Sequence, residues 1–595
     1  MIARQKQSRT IGLALAAAFV AIAIASFFWP NVIADRLRPT SGLQPDTSID
    51  AAVSVVRALA LPFLLIGAEI LVVNVAAKQN RMVPWSIAIA AALAYLSVQW
   101  LFWDWTVDDA AITFAYSENL VRGAGLVLHA GQAHEEGYSS TLWMLILACA
   151  SWLGFRIDLA AKVLGVVLGA LCVLTTMYVC TILENKSHSR MPLLLAAVVC
   201  VGAPFIIWSG SGLEHPLQAL LFVVIVALPL FNIPLIWPTA LCLGALTLLR
   251  PETPLVVVAV VATYVIDQAS AGRRALIRLW PMIAAPIFVG AALLIFRLYY
   301  FGVPYPNPYY AKASTATFVS VFNIFGGSWG YVIDWLSSSG AFLLVPLILL
   351  GAPWRPGTTV RLAIGLILAQ LLFVLYARGD WMAEFRFLSP ILPLVSIVVV
   401  AALVNLYDQF SRFHLNFVTG IIIVFLGIGT IAGLHSFRAQ PTTPTSTVTA
   451  IGEVFVRLAH RLGIEHPILA HHDAGGTSWG ANIDVIDLGG LGDRAIARHM
   501  NDAAFIRHYL FVERRPTFIF GSARTFAAGY THLDRMPELA EQYVPLRFPG
   551  LPYMKSDLCY IRRDVVREAR GVSLDKINGD LVAVVVDSEI AQSVE

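Results

Sequence analysis

The sequence predicts an α-helical multi-span membrane protein with a C-terminal soluble α/β domain. Composition is the first observation: of 595 residues, 58% are hydrophobic and 13% are charged, and the mean hydropathy is +0.72. Soluble domains are about 45–50% apolar, so a water-soluble fold could not bury this much apolar surface. The second observation is that charge is concentrated in residues 436–595. This region contains 17 of the 41 Lys+Arg residues and 19 of the 38 Asp+Glu residues of the chain.

Apolar runs near the length needed to cross a bilayer recur throughout residues 1–435. The first follows Arg4, Lys6 and Arg9 and ends in bulky residues without a small-residue cleavage site, which favours an uncleaved span over a signal peptide. We predict about 13 transmembrane helices, at 11–29, 54–77, 84–103, 158–183, 191–208, 215–231, 235–249, 253–268, 281–300, 338–352, 362–377, 389–406 and 416–435.

Lysine and arginine collect in alternate loops, which identifies the cytoplasmic side. This holds if 141–155 (TLWMLILACASWLGF) is an interfacial helix rather than a crossing. The basic residues assigned to the inside are Arg4, Lys6, Arg9, Lys78, Arg81, Lys186, Arg190, Arg273, Arg274, Arg278, Arg355, Arg361 and Arg412. The N-terminus is then cytoplasmic, and the C-terminal domain and the loops 104–140, 209–214, 250–252, 301–337 and 378–388 lie outside.

The C-terminal region, 436–595, reads as a separate extracytoplasmic domain after the transmembrane domain, 1–435. RAQPTTPTSTVT is typical of a linker. PILAHHDAGG, IDVIDLGG and PTFIFG are typical of short strands, and DRAIARHMNDAAFIRHYLFVE is typical of one helix between the last two. These patterns predict a small α/β unit.

Charge and cysteine content exclude other classes. The net charge is only +3 and there is no long Lys/Arg tract, so a nucleic-acid partner is not expected. Five of the six cysteines lie in apolar segments, and neither a disulfide framework nor a set of spaced metal ligands follows from them.

The first outside loop is strongly acidic. Asp108 and Asp109 are adjacent there, and like charges raise each other's pKa. Such a pair suits a general base, and it would also suit a divalent cation held through carboxylate oxygens. A plain solvated loop would carry the same acids, which are Asp104, Asp108, Asp109, Glu118, Glu135 and Glu136.

The other outside loops carry cations, namely Arg250, Lys312, Arg378 and Arg386. Arginine suits bidentate contact with phosphate, and a cation at the bilayer surface lies at the depth of a lipid phosphate. Snorkelling of interfacial side chains is the alternative reading. Acids and cations on one face would suit a site where a lipid-linked phosphate is held and a hydroxyl is deprotonated.

Six segments in order resemble the membrane-embedded glycosyltransferases of the C fold (GT-C), which use polyprenyl-phosphate sugars. They resemble most the terminal arabinofuranosyltransferases of mycobacteria. The segments are DDAAITFAYSENLVRGAGLVLHAGQAHEEGYSSTLW, WSGSGLEHPL, LLRPE, YYFGVPYPNPYYAK, RGDWMAEFRFLSP and DAGGTSWGANIDVIDLGGLGD, and they cover most of residues 100–495.

The resemblance implies inverting transfer of one sugar, best taken as arabinofuranose, in a bacterial plasma membrane. It implies that 104–157 is the catalytic loop, that Asp108 is the base and that Asp109 positions the acceptor or a cation. It places Glu136 and Tyr138, of the EGY motif, and Glu214 around the same cavity, with Arg386 as a candidate for the lipid phosphate. The two spans before the motif loop depart from the family pattern.

Several readings stay open. Mannose and other lipid-linked sugars are alternatives, and the acceptor can be a glycan, a lipid or a protein. A transporter or flippase is the main rival, although span interiors nearly free of charge argue against it. An oligosaccharide polymerase or ligase is another rival, and a binding protein with a metal site at His471, His472 and Asp473 is a third.

Overall fold

The computed structural model describes residues 83–184, 189–231, 236–269, 272–313, 327–353, 355–500, 502–522, 533–546 and 557–568. The first two predicted spans, 11–29 and 54–77, lie outside these residues. The chain divides into two compact units. The helical unit comprises Met1–Asp104, Ala161–Ala291 and Thr315–Thr442, and the sheet unit comprises Trp105–Ala160, Ala292–Ser314 and Thr443–Glu595.

The described helices as far as residue 439 are α1 (Val83–Leu101), α2 (Asp108–Val121), α3 (Thr141–Trp152), α4 (Ile157–Glu184), α5 (Met191–Cys200), α6 (Ala203–Ser209), α7 (His215–Ala227), α8 (Ile236–Leu249), α9 (Thr253–Gln268), α10 (Arg273–Ile277), α11 (Trp280–Tyr300), α12 (Asn307–Ala313), α13 (Gly327–Ser338), α14 (Leu344–Gly351), α15 (Thr358–Ala377), α16 (Leu392–Tyr407) and α17 (Arg412–Ala439). Short 3₁₀ turns occupy Leu228–Leu230, Ala341–Leu343 and Arg386–Ile391.

Six of the described helical segments are long and apolar enough to cross a membrane, and two bent pairs raise the number to as many as eight. This composition makes the chain a multi-pass membrane protein. The segment Arg386–Tyr407, which ends in α16, is central to its unit, because 89% of its apolar stretch is buried. The count of 13 is not confirmed, since α7, α8 and α9 are shorter than a straight crossing.

Two predicted spans bend instead of running straight. The span at 191–208 consists of α5 and α6, which meet at 47° where Gly202 and Pro204 interrupt the helix. The span at 338–352 belongs to a pair bent by 94°, and Gly340 there has φ 75°, which favours glycine. A run of apolar residues indicates burial in lipid but not where a helix breaks.

The C-terminal part of the sheet unit has helices α18 (Thr445–Arg461), α19 (Ala474–Trp479), α20 (Arg494–His499), α21 (Ala503–His508), α22 (Pro537–Gln542) and α23 (Arg563–Glu568), with a π turn at Tyr509–Arg514 and a 3₁₀ turn at Leu533–Arg535. Its strands are β1 (Ile468–His471), β2 (Asp484–Asp487), β3 (Phe518–Ser522), β4 (Tyr543–Leu546) and β5 (Asp557–Arg562).

These strands form one mixed sheet in the order β2-β1-β3-β5-β4. The first three are parallel, with Ala470 opposite both Ile486 and Ile519, and β5 is antiparallel to β3 and β4. Continuous apolar runs in parallel strands are typical of burial on both faces. The predicted small α/β domain is therefore confirmed as a sheet with short helices.

Two local predictions were wrong. The proposed linker at 438–449 ends early, because α18 begins at Thr445 directly after Pro444. The single helix expected at 493–513 is broken into α20, α21 and the π turn. The Asp502 side chain accepts a hydrogen bond from the Phe505 N–H at 3.0 Å, so it begins a new helix as an N-cap.

Candidate active site

The acidic pair stands at the start of α2, in the sheet unit. Two carboxylates in a first turn are favourable near the positive end of the helix dipole. The preceding extended residues pair with the segment before α18: the Asp108 N–H donates to the Thr443 carbonyl at 3.0 Å, and the Thr445 N–H donates to the Thr106 carbonyl at 2.9 Å. These bonds fix the position at which α2 begins.

The Asp108 carboxylate is bound by the DAGG segment. One oxygen accepts the Gly476 N–H at 2.7 Å, and the other accepts the Gly475 N–H at 3.1 Å. Asp108 is only 4% exposed. Two segments that are more than three hundred residues apart in sequence thus meet at one carboxylate within the sheet unit.

Burial raises the pKa of Asp108 well above its usual range, and the neighbouring Asp473 carboxylate raises it further. The Gly476 and Gly475 N–H donors act in the opposite direction, because they stabilise the charged form. Asp108 therefore has the raised proton affinity of a buried acid, but both its oxygens already hold backbone donors.

The glycines of DAGG allow this close approach, and Gly475→Ala is expected to disrupt it. A Cβ atom at Gly475 would overlap the backbone oxygen of Asp108. We expect a loss of about 1–3 kcal/mol in unfolding free energy, as for other overpacked sites, measured by thermal unfolding. The direction of the change is informative, because helix propensity alone predicts that replacing glycine by alanine in a helix stabilises the protein. Gly330→Ala is the control, since its Cβ would meet nothing within 4 Å; equal behaviour of the two variants would contradict the contact.

Asp109 has a different environment from Asp108. It is partly exposed, whereas the adjacent residues Asp108 and Ala110 are buried. A base must reach the hydroxyl that it deprotonates. Because its side chain is partly exposed, Asp109 is better placed than Asp108 to contact a substrate. The buried Asp108 is better placed to position the loop.

The EGY motif is also held within the sheet unit. Glu136 is 1% exposed and binds Arg297 at the end of α11 through two hydrogen bonds of 2.7 and 2.8 Å. Burial raises the pKa of Glu136, and Arg297 opposes the rise. Tyr138 packs edge to face on Tyr116, with ring centroids 5.1 Å apart. Glu136 and Tyr138 are therefore both buried, and their contacts hold the loop in place.

Glu214 and Arg250 meet in the helical unit. The Arg250 guanidinium is 8% exposed and donates to Glu214 at 2.7 Å and to Glu252 at 2.9 Å. Gln218 donates to Glu252 at 3.0 Å. The charge of Arg250 is therefore already balanced by two carboxylates, and the cluster ties α7 to the junction of α8 and α9.

The remaining predicted cations differ in their surroundings. Arg386 is buried, forms an ion pair with Asp380 at 2.6 Å, and lies 5.0 Å from the Phe387 ring centre. Arg378 ends α15 in the left-handed region, with φ 61°, and is exposed. Lys312 lies on α12. Exposure makes Arg378 a better candidate than Arg386 for contact with a ligand.

Sequence reasoning missed two cations inside predicted spans, Arg297 and Lys162. Lys162 of α4 is 3% exposed, and its ammonium donates to the carbonyls of Phe102 at 2.6 Å and Gly210 at 2.7 Å. Those carbonyls follow α1 and α6, where helices leave acceptors without partners. A charge inside an apolar run was the available signal.

The proposed metal site has no support in the described part of the chain. His471 is buried, and no group of three or more His, Cys, Asp or Glu side chains there is arranged to hold a metal ion. Each Asp108 oxygen accepts one backbone N–H group.

Comparisons with known proteins give limited matches. A family model, a domain of unknown function (DUF8728), matches residues 446–560. No curated protein sequence matches the chain significantly. ArnT from Cupriavidus metallidurans bound to undecaprenyl phosphate is 12% identical, with a TM-score of 0.49 over 81% of this chain and 98% of that one. Its apo state also scores 0.49 at 12% identity, over 79% and 97%.

A third solved structure is the Archaeoglobus fulgidus oligosaccharyltransferase in complex with zinc and sulfate. It is 12% identical, with a TM-score of 0.46 over 80% of this chain and 73% of that one. Likeness at this level establishes neither activity nor substrate.

Proposed function

We propose that the protein is an inverting glycosyltransferase of the C fold that moves a single sugar from a polyprenyl-phosphate donor to an acceptor hydroxyl outside the plasma membrane. One observation carries the proposal. An acidic pair begins α2 of a multi-pass membrane protein, with Asp108 held by Gly475 and Gly476 and Asp109 partly exposed. The six resembling sequence segments include both halves of this arrangement.

The reaction needs one base. Asp109 takes the proton of the acceptor hydroxyl, the resulting oxygen bonds to the anomeric carbon, and the bond from that carbon to phosphate oxygen breaks with its electron pair. Polyprenyl phosphate leaves as an anion, so a general acid is not required. Attack opposite the leaving group inverts the anomeric carbon, through an oxocarbenium-like transition state.

The other residues have supporting roles in this proposal. Asp108 fixes the start of α2 and so positions Asp109. Arg250 and Arg386 hold internal carboxylates, which argues against the role at the donor phosphate that the sequence suggested for them. No step requires a divalent cation.

Arabinofuranose is the proposed sugar, and support for it comes from the resemblance of the sequence alone. Mannose is the next candidate. The experiment therefore supplies purified full-length protein with separate synthetic polyprenyl phosphates carrying arabinofuranose, mannose or other sugars, plus an envelope extract as acceptor. We expect release of polyprenyl phosphate from one donor, dependent on the acceptor. Release from no donor would contradict the proposal.

Transport of a lipid-linked substrate is a second candidate, and a specific observation favours it. Two bent helix pairs, at 47° and 94°, are of the kind from which transporters build binding sites. Vesicles containing the protein separate the two functions, because a transporter moves an intact donor across the bilayer without releasing polyprenyl phosphate.

A further inference from the structure

A cavity of about 620 Å³ lies within the sheet unit, apart from the acidic pair. It lies between the loop that contains Gln132 and Glu135 and the start of β1 and β2 at Ile468 and Asp484. Ligand cavities usually measure about 300–1,000 Å³. The space therefore suits a ligand of several rings rather than an ion.

Polar side chains around this cavity are held in place by one another. Gln132 donates to Asp484 at 2.6 Å, and Tyr509 donates to Asp493 at 2.7 Å. Glu135 accepts the Arg494 N–H at 2.5 Å. Carboxylate oxygens have more acceptor positions than these bonds use. The lining is thus already ordered and can accept further hydrogen bonds, which lowers the entropy cost of binding.

The charge of the lining selects the ligand. Four carboxylates, from Glu135, Glu465, Asp484 and Asp493, line the cavity together with the Arg514 guanidinium and the imidazoles of His129 and His466. An anionic ligand would be repelled. A neutral ligand rich in hydroxyl groups would instead donate hydrogen bonds to these carboxylates.

The cavity is connected to the acidic pair by one helix. Tyr116 lines the cavity and follows Asp109 by two turns of α2, which corresponds to about 10 Å of helix. A chain of sugars could reach from the cavity to Asp109, whereas a single sugar could not fill both places.

We infer that this cavity binds neutral sugar residues of the acceptor, behind the residue whose hydroxyl reacts. The inference rests on the proposed function, and it specifies the acceptor as a glycan rather than a lipid or a protein.

The test is binding of neutral tetrasaccharides (arabinan, mannan, galactan and glucan) to purified full-length protein, without any donor, by calorimetry and saturation-transfer NMR. Ala133→Phe and Ala130→Phe obstruct the cavity from exposed positions on its wall. Ala504→Phe on α21 is the matched control, exposed and outside the cavity. We expect at least one tetrasaccharide to bind, with affinity lowered at least about tenfold by each cavity variant and unchanged by the control.

Binding that is equal in the cavity variants, absent for every neutral tetrasaccharide, or tighter for a sulfated tetrasaccharide would overturn the inference. Because no donor is present, this result is independent of catalysis. Binding without release of polyprenyl phosphate would overturn the proposed function but would keep the cavity as a site for neutral sugars. Release without binding would overturn the cavity as a sugar site but would keep the proposed function.

Discussion

Asp109→Asn is expected to lower the rate of sugar transfer by a factor of about 10²–10⁴, the usual contribution of a general base. Asparagine keeps the size of the side chain but cannot take a proton. Because Asp109 is partly exposed at the first turn of α2, its charge contributes only about 0.3–1 kcal/mol through the helix dipole. The measurement is polyprenyl phosphate release beside thermal unfolding, with a large loss in the first and little change in the second.

Asp108→Ala is the comparison that separates chemistry from support. It leaves the N–H groups of Gly475 and Gly476 without their acceptor, at a cost of about 1–3 kcal/mol for a buried donor. Its unfolding temperature should therefore fall together with its activity. Glu118→Gln is the control on the same helix, because Glu118 forms its ion pair with the exposed Arg122.

The roles would be exchanged if Asp109→Asn stayed active while a folded Asp108→Asn variant lost activity. Asp108 would then be the base, and the Gly475 and Gly476 donors would orient its carboxylate. Loss of activity in neither asparagine variant would contradict the proposed reaction, because the acidic pair carries it.

The sequence predicted well those features that depend on a physical constraint along the chain. A helix must be long and apolar to cross a bilayer, so the runs at 158–183, 281–300 and 416–435 correspond to α4, α11 and α17. The interior of a parallel sheet is apolar, so β1 and β2 fall inside the runs assigned to them, and β3 continues one residue beyond its run, to Ser522. These rules are local, and a sequence shows them directly.

Pairing between distant segments could not be predicted in this way. Glu136 and Arg297 are 161 residues apart, and Asp108 and Gly476 are 368 apart. No periodicity relates such positions, since their contact depends on how the elements pack. The double glycine of DAGG was a signal of close backbone approach, but the sequence did not identify the partner as Asp108.

The buried cations show the same limit. Arg250 looked like a phosphate ligand because it follows a span, yet its guanidinium binds Glu214 and Glu252. Lys162 lies in the first turns of α4 and is held by carbonyls at the ends of two other helices. A sequence places a charge near the membrane, but only packing decides whether a protein group or a ligand neutralises it.

Arg297→Leu is expected to destabilise the sheet unit by about 3–5 kcal/mol, the cost of leaving one partner of a buried ion pair alone. Glu136 is 1% exposed and Arg297 is 14% exposed. The free-energy cost of losing the partner is therefore larger for the Glu136 carboxylate than for the Arg297 guanidinium. Glu136→Leu should be less costly, because Arg297 has more access to solvent. The measurement is the unfolding of the detergent-purified protein, monitored by proteolytic cleavage within the loop 104–140.

The double variant Glu136→Leu/Arg297→Leu should recover much of the stability lost in Arg297→Leu, because no unpaired charge remains and a buried ion pair is often replaceable by apolar groups. The coupling in this cycle should reach about 0.5–3 kcal/mol. Arg156→Leu is the control, since its pair with Asp158 is exposed and worth about 0–1 kcal/mol. Additive losses in the double variant would mean that the pair does not anchor the EGY motif to α11, and that the loop is held by its contacts with DAGG and the sheet instead.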